Sequence, residues 1–378
     1  MSMKKKLSIL IYSLSNGGAE RVVSILLNQF KEKYDISLYL MNDTIFYEIP
    51  KDVKIVYLEK SNPNESPIKK FIKLILLAIK YKKINNSDIS LSFMNRPNYI
   101  NILAKIFGMK SKVIISERAM PTLQHSNGLQ GKVNIFLIYN LYKYSDVINA
   151  NYLGNSKDLI ENFCCKKVVT INNIFDTITI NQLSNEKISF RDNSFTFITV
   201  GRLDNGKNHF MMIDAMKDID AKLYIIGDGE LRSTLQNKII EDSLEDKVIF
   251  LDKQINPYKY ITQADCFLFS SSHEGYPNVL VEALICGLPI ISTDCKSGPR
   301  EILALNSNID FQLEDKIELC EYGILVPINN KEKLKESMNM IINDEELRNR
   351  YKEKSKIRAD FFRIDKIIKQ YEEIICVE

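Results

Sequence analysis

Two carboxylates eight positions apart, Glu274 and Glu282, are the residues of this chain best placed to do chemistry. Residues 265–269 are short, apolar and aromatic-rich, as a strand buried in a parallel sheet must be. Residues 279–286 have helical spacing, and Pro277 falls near the first turn, where its missing N–H costs nothing. Strand, short loop and helix start leave free backbone N–H groups beside the positive end of the helix dipole, a place for an anion. A Glu near a helix start is often only dipole compensation, and a mid-helix Glu usually faces water. Glu282, however, stands in the otherwise apolar run 279–284, where a charge is expensive unless something partners it. A ribose diol would be such a partner. The pair therefore predicts a phosphorylated ligand flanked by hydroxyl-bearing groups, as in a nucleotide sugar.

A second set of groups repeats the plan. Residues 195–200 read as a buried strand, followed by a loop with Gly201, Arg202, Gly206 and Lys207 and a helix through 216. Arg offers a two-pronged donor and Lys a point charge, which suits a leaving diphosphate. Residues 222–231 form a third strand–glycine–helix unit around Gly227, Asp228 and Gly229. At the start of the chain, strand 7–12, Gly17 and Gly18, a helix to about residue 33 and strand 36–41 make a βαβ unit. The two glycines there would let backbone approach an anion, although turns also use glycine for conformation alone. Strands 89–93 and 113–117 end in polar residues, and carboxyl ends of parallel strands are where open α/β sheets bind ligands. Arg96, Glu117 and Arg118 are thus candidates for donor or acceptor contacts.

The elements that position these groups imply two tandem doubly wound α/β domains. The chain has 378 residues, 45% hydrophobic and 26% charged, enough for two cores. No apolar stretch reaches the ~20 residues of a membrane span, and the Lys4–Lys6 start with its short apolar run reads as a first strand rather than a signal peptide. Seven cysteines without a C-x-x-C pair suit reduced, mostly buried thiols in a cytosolic setting. Charge is uneven. Through residue 120 there are 20 Lys and Arg against 10 Asp and Glu, and the remainder holds 31 against 38. A basic first third predicts an anionic partner there: a membrane surface, a diphosphate lipid or nucleic acid. Nucleic acid is disfavoured by a total charge of only +3, no Trp and no basic–aromatic motif. Residues 67–83 carry Lys69, Lys70, Lys73, Lys80, Lys82 and Lys83 among apolar residues. The central turns are expected to pack on a sheet while the ends touch anionic lipid. Residues 120–131 read as a mobile loop, and 356–376 as one long amphipathic helix. The division expected is 1–180, with 356–378 returning to it, and 181–355. Asp218 and Asp220 imitate a metal-binding D-x-D without a third ligand, so no metal role is assigned.

Taken together, Gly17–Gly18, Gly201–Arg202 with Lys207, Gly227–Asp228–Gly229 and Glu274-x7-Glu282 resemble glycosyltransferase family 4 in order and over nearly the whole chain. The resemblance implies retaining enzymes of GT-B fold, two Rossmann-like domains facing across a cleft with a C-terminal helix crossing back to the first. Residues 41–50, 95–100 and 256–260 carry a closer likeness to bacterial members that add N-acetylgalactosamine to an undecaprenyl-diphosphate-linked glycan. Transferases of O-antigen and capsule share much of it. By this resemblance Arg202 and Lys207 would neutralise the UDP diphosphate, Glu274 would hold donor-sugar hydroxyls and Glu282 would accept both ribose hydroxyls. Gly17, Gly18, Gly227 and the N–H groups of Asn278 and Val279 would lie at the nucleotide. Arg96, Glu117, Arg118, Lys69 and Lys73 would face the acceptor. No cofactor or metal is implied, and the location implied is the cytoplasmic face of the membrane, held peripherally through the basic first domain. Many relatives carry His after the Glu matching Glu117; here it is Arg118. Three other readings compete: a dinucleotide oxidoreductase, which lacks a complete G-x-G-x-x-G, a UDP-sugar epimerase, and a non-catalytic sugar-nucleotide binding module.

Overall fold

Short apolar runs alternating with amphipathic segments build two seven-stranded sheets, each covered by helices on both faces. The computed structural model describes residues 4–59, 67–190 and 192–376, with backbone only for 67–71. The chain divides into two units, Met1–Ile174 with Asp365–Glu378, and Phe175–Ile364. The helix Thr177–Ser184, which the expected boundary between 180 and 181 would cut, lies wholly in the second unit.

In the first unit β1 (Lys5–Ile11), β2 (Tyr34–Leu40), β3 (Lys54–Tyr57), β4 (Ile89–Phe93), β5 (Lys112–Glu117), β6 (Val147–Ala150) and β7 (Val168–Thr170) stand parallel in the order β3-β2-β1-β4-β5-β6-β7. The direction of winding reverses between β1 and β4. Helix α1 (Gly18–Phe30) joins β1 to β2. Helices α2 (Pro67–Ile84), α3 (Asn95–Ile106), α4 (Pro121–Gln124), α5 (Gly128–Leu141) and α6 (Leu153–Phe163) follow in turn. Leu74, Leu77, Ala78 and Tyr81 of α2, Ile100 of α3, Ile138 of α5 and Leu159 of α6 share one core with Val113, Ile115 and Ile148 of the sheet. Each buried aliphatic side chain there contributes about 1.5–3 kcal/mol. Strand β3 sits at the edge, its residues exposed or half-exposed and flanked by lysines.

The second unit adds α7 (Thr177–Ser184), β8 (Thr196–Val200), α8 (His209–Met216), β9 (Lys222–Ile226), α9 (Arg232–Glu241), β10 (Val248–Asp252), α10 (Tyr258–Ile261), β11 (Cys266–Phe269), α11 (Asn278–Ile285), β12 (Ile290–Thr293), α12 (Pro299–Leu303), β13 (Glu318–Leu319), β14 (Ile324–Val326), α13 (Lys331–Asn343) and α14 (Glu345–Ala359). The order is β10-β9-β8-β11-β12-β14-β13, parallel except for the edge strand β13. Here the winding reverses between β8 and β11. Open α/β sheets take ligands beyond the carboxyl ends of the strands at such a reversal.

Two expectations fail. Residues 120–131 are not a loop: α4 starts on Pro121, and α5 begins at Gly128. Gly131 packs so closely on His125 that a Cβ there would lie 2.5 Å from the His125 carbonyl oxygen. The final segment is not one helix either. After α14 a 3-10 turn, Asp360–Phe362, breaks it before α15 (Ile364–Cys376). Phe362 is buried edge-on to Phe175, and Arg358 donates to the carbonyls of Ile302 and Glu301. Those anchors fix the chain to the second unit, so it must turn before α15. Helix α15 packs on the first unit: Asn149 Nδ2 donates to Tyr371 Oη at 2.8 Å, Lys112 Nζ donates to the Ile374 carbonyl at 2.7 Å, and Lys33 pairs with Glu372.

Candidate functional site

The loops leaving β8 and β11 are bound together by the serines that follow β11. Ser270 Oγ donates to the carbonyls of Lys207 (2.7 Å) and Asn208 (2.9 Å), and the Ser272 N–H donates to the Gly206 carbonyl at 2.9 Å. Asp204 caps the turn Asn205–Lys207 by accepting from the Lys207 N–H at 3.1 Å. This stitching delivers Lys207 to Glu274. The two form an ion pair in which both side chains are mostly shielded from water, and Ser271 Oγ donates to Glu274 Oε1 at 2.8 Å. The Lys207 ammonium also lies 5.6 Å from the centre of the Phe269 ring. Arg202 behaves differently. Its side chain is 78% exposed, and its nearest ionic partner, Asp204, is 3.8 Å away.

Beside it, Gly201, Arg202, Gly227, Lys253, Gln254 and Pro257 line an open depression of about 560 Å³. Gly227 is required by the meeting of two loops: its φ is +153°, and a Cβ there would sit 1.8 Å from the Gly201 carbonyl oxygen. Glu282 lies on the buried side of α11, 8% exposed, and accepts from Tyr258 Oη at 3.3 Å. The start of α11 carries no side-chain cap. The Asn278 N–H turns back to the Tyr276 carbonyl at 3.0 Å, so it is not a free donor. His209 opens α8, 2% exposed, with no partner for Nδ1 among the described residues. Burial, then the neighbouring Lys207 charge, push its pKa down to about 4, so the ring is neutral near pH 7.

The first unit presents a different picture. At α1, a Cβ on Gly17 would lie 2.3 Å from Glu20 Oε2. The helix start that the sequence offers to an anion therefore holds the chain's own carboxylate, held in turn by Ser15 Oγ at 3.3 Å. Glu117 is 1% exposed, accepting from Tyr142 Oη (2.5 Å) and the Arg118 N–H (2.9 Å). Burial raises its pKa, opposed by those hydrogen bonds. Arg118 donates to Asn173 Oδ1 and to Ser116 Oγ (3.3 Å) and lies over the Phe93 ring. Arg96 and Lys73 converge on Glu59 at 2.9 and 3.7 Å. The Lys69 side chain lies outside the described residues.

Sequence reasoning joined Arg202 and Lys207 as two cations of one loop and gave Glu274 a separate role; the structure instead pairs Lys207 with Glu274 and leaves Arg202 exposed, and Lys253, Gln254, Tyr258 and His209 were missed. Tyr258 could have been found by asking what neutral donor would partner a buried Glu282. Among the described residues, no three His, Cys, Asp or Glu side chains group as a metal cage would require, and no helix is long and apolar enough to cross a membrane.

Two Rossmann-like units, each built on a seven-stranded, mainly parallel sheet, give the chain the GT-B fold. The chain belongs to the family of group 1 glycosyl transferases: residues 181–358 match that family, and a full-length relative is 41% identical. That relative is the N-acetylgalactosamine-N,N'-diacetylbacillosaminyl-diphospho-undecaprenol 4-alpha-N-acetylgalactosaminyltransferase of Campylobacter jejuni, aligned over 366 residues, 95% of this chain and 96% of the relative. A second Campylobacter jejuni protein, a GalNAc-alpha-(1->4)-GalNAc-alpha-(1->3)-diNAcBac-PP-undecaprenol alpha-1,4-N-acetyl-D-galactosaminyltransferase, is 29% identical over 98% of both chains. Among solved structures, Anabaena HepE in complex with UDP superposes with a TM-score of 0.75 over 98% of this chain and 99% of that one, at 18% identity. The expected fold and family are thus met, and the oxidoreductase, epimerase and binding-module readings give way to a transferase.

Proposed function

We propose that this glycosyltransferase moves N-acetylgalactosamine from its UDP conjugate to a glycan carried on undecaprenyl diphosphate, with retention at the anomeric carbon. The observation that carries the reading is the end-to-end identity of 41% with a Campylobacter jejuni enzyme named for that transfer. In the proposed arrangement the uridine end of the donor enters the depression beside Gly201, Gly227, Lys253 and Gln254. Its ribose hydroxyls donate to Glu282, which Tyr258 already holds from one side. Arg202, exposed and weakly engaged, swings onto the diphosphate, where its charge counts as the bond to the sugar breaks. Lys207 exchanges part of its bond with Glu274 for a phosphate oxygen, freeing that carboxylate for donor-sugar hydroxyls. The leaving diphosphate then helps deprotonate the acceptor hydroxyl on the face it departs from. Fixed cations and dipoles stand where other transferases place a divalent ion.

On the acceptor side, Lys73 and Arg96 around Glu59, with Lys69 and Arg118, would meet the lipid-linked diphosphate. Exposed Ile72, Leu76 and Ile79 of the lysine-rich α2 would rest on the cytoplasmic membrane surface, while its Leu77 and Tyr81 pack inward. Incubating the protein with a lipid-diphosphate glycan and a panel of UDP-sugars, with product mass as the readout, tests this. Incorporation of one N-acetylhexosamine from UDP-N-acetylgalactosamine is expected. Preference for another UDP-hexose would move the protein to O-antigen or capsule synthesis, and activity lost to EDTA and restored by magnesium would end the metal-free mechanism.

A further inference from the structure

In the first unit, residues 41–50 leave the carboxyl end of β2 and lead to β3, and they hold apolar side chains out in water. Ile45 is 41% exposed and Phe46 64%. A ring left in water forgoes its burial energy, and a slack loop would fold it away. This loop is pinned. Leu14 and Ile45 form a parallel bridge, the Leu14 N–H donating to the Thr44 carbonyl at 3.1 Å and the Phe46 N–H to the Leu14 carbonyl at 2.8 Å. Asn42 Oδ1 accepts from the Thr44 N–H at 2.8 Å and from Thr44 Oγ1 at 2.6 Å. The half-buried Tyr47 ring stands edge-on to Phe46 with centres 5.2 Å apart, and its hydroxyl donates to the Gly17 carbonyl at 3.4 Å. The chain thus presents a braced aromatic face where β1 and β2 end side by side. Charge narrows the occupant. No Lys or Arg lies between Lys33 and Lys51, while Asp43 and Glu48 flank the ring and are exposed. From α1, Arg21 and Glu20 act on the Tyr47 hydroxyl with opposite charges. An anionic surface would be repelled by the two acids. A neutral hexopyranose fits: its C–H face packs on a ring, and its hydroxyls donate to carboxylates. Strand β3 then leads on to Glu59, where Lys73 and Arg96 converge. Cations and an aromatic face at one edge of one sheet match a ligand with a diphosphate at one end and neutral sugars at the other.

We infer that Phe46, braced by Tyr47, is a stacking platform for a neutral sugar ring of the acceptor glycan, with Asp43 and Glu48 taking its hydroxyls. The inference rests on the reading that the acceptor is a diphosphate-linked glycan. Two probes separate the parts of that ligand: geranyl diphosphate bearing a disaccharide that ends in N-acetylgalactosamine, and geranyl diphosphate alone. Phe46→Ala should raise the KM for the glycan probe about tenfold, with donor KM, kcat at saturating probe and melting temperature as in wild type. Phe46→Trp, which keeps a stacking ring, should hold that KM within about twofold of wild type. The chain contains no Trp, so the emission of this variant reports on the platform alone. It should shift when the glycan probe is added and not with geranyl diphosphate. Ile240→Trp, exposed on α9 of the second unit, should respond to neither. An unchanged acceptor KM in Phe46→Ala, a rise in donor KM in its place, or an equal emission response to geranyl diphosphate would overturn the inference. If the wild type fails to transfer to the glycan probe, the proposed reaction falls, and the emission titration still decides whether the ring meets the sugar.

Discussion

Glu117 and Glu274 both stand where a parallel strand ends, one in each unit, and they have opposite surroundings. Glu117 is sealed, and every oxygen has a donor within the chain: Tyr142 on one side, the Arg118 N–H on the other. Glu274 is met by a lysine and a serine, and the loop that brings the lysine also carries an exposed arginine. A carboxylate buried with all its hydrogen bonds internal frames the fold; one held by the part-exposed ammonium of a loop lysine can exchange partners. Position at a strand end makes a residue a candidate, and its existing partners decide whether it can serve a ligand.

The sharpest way to break this contrast is substitution at the open end. Lys207→Ala should lower kcat by about 10²–10³-fold with an unchanged circular dichroism spectrum and melting curve. Arg202→Ala comes next, at about 10²-fold, seen chiefly in kcat. Wild-type turnover in either would remove the leaving-group role. At the closed end, Glu117→Leu should cost about 3 kcal/mol in urea unfolding, because the Tyr142 hydroxyl and Arg118 N–H are left buried without an acceptor. If Glu117→Gln instead folds normally and is as inactive as Glu274→Gln, the contrast collapses.

A subtler effect is expected at His209. Its folded pKa of about 4 lies below the ordinary 6.5, so below pH 6.5 the unfolded chain binds a proton that the folded one refuses. Its contribution is therefore fully present above pH 6.5 and lost as pH falls toward 4, by about 3 kcal/mol in all. His209→Gln should flatten that limb of the stability–pH profile. The smallest change is expected for Tyr258→Phe, about three- to tenfold in donor KM with kcat retained.

The doubly wound alternation was legible because strands buried on both faces must be continuously apolar, and the β8 and β11 loops could be read because glycine and charge after such a run have few other uses. Strand β3 was hidden, since a four-residue edge strand needs no buried apolar face, and its opening Lys54 resembles a loop residue. Helix α5 was hidden by Pro121, Asn127 and Gly128, which look like loop punctuation but here begin helices. The Gly17–Gly18 turn misled in another way: sequence places glycines at a helix start, but not that Glu20 folds back over it. Nor could spacing reveal that Asn278 spends its N–H on Tyr276.

The return of α15 to the first sheet has a consequence for synthesis. Phe175–Ile364 is one uninterrupted stretch, able to condense as soon as it leaves the ribosome. The earlier unit, although made before it, lacks the Tyr371 hydroxyl that meets Asn149 until the whole of the second unit has been translated. A chain released after residue 364 would therefore carry a complete second unit and a first unit still open to proteases, reversing the usual order in which the first-made domain matures first.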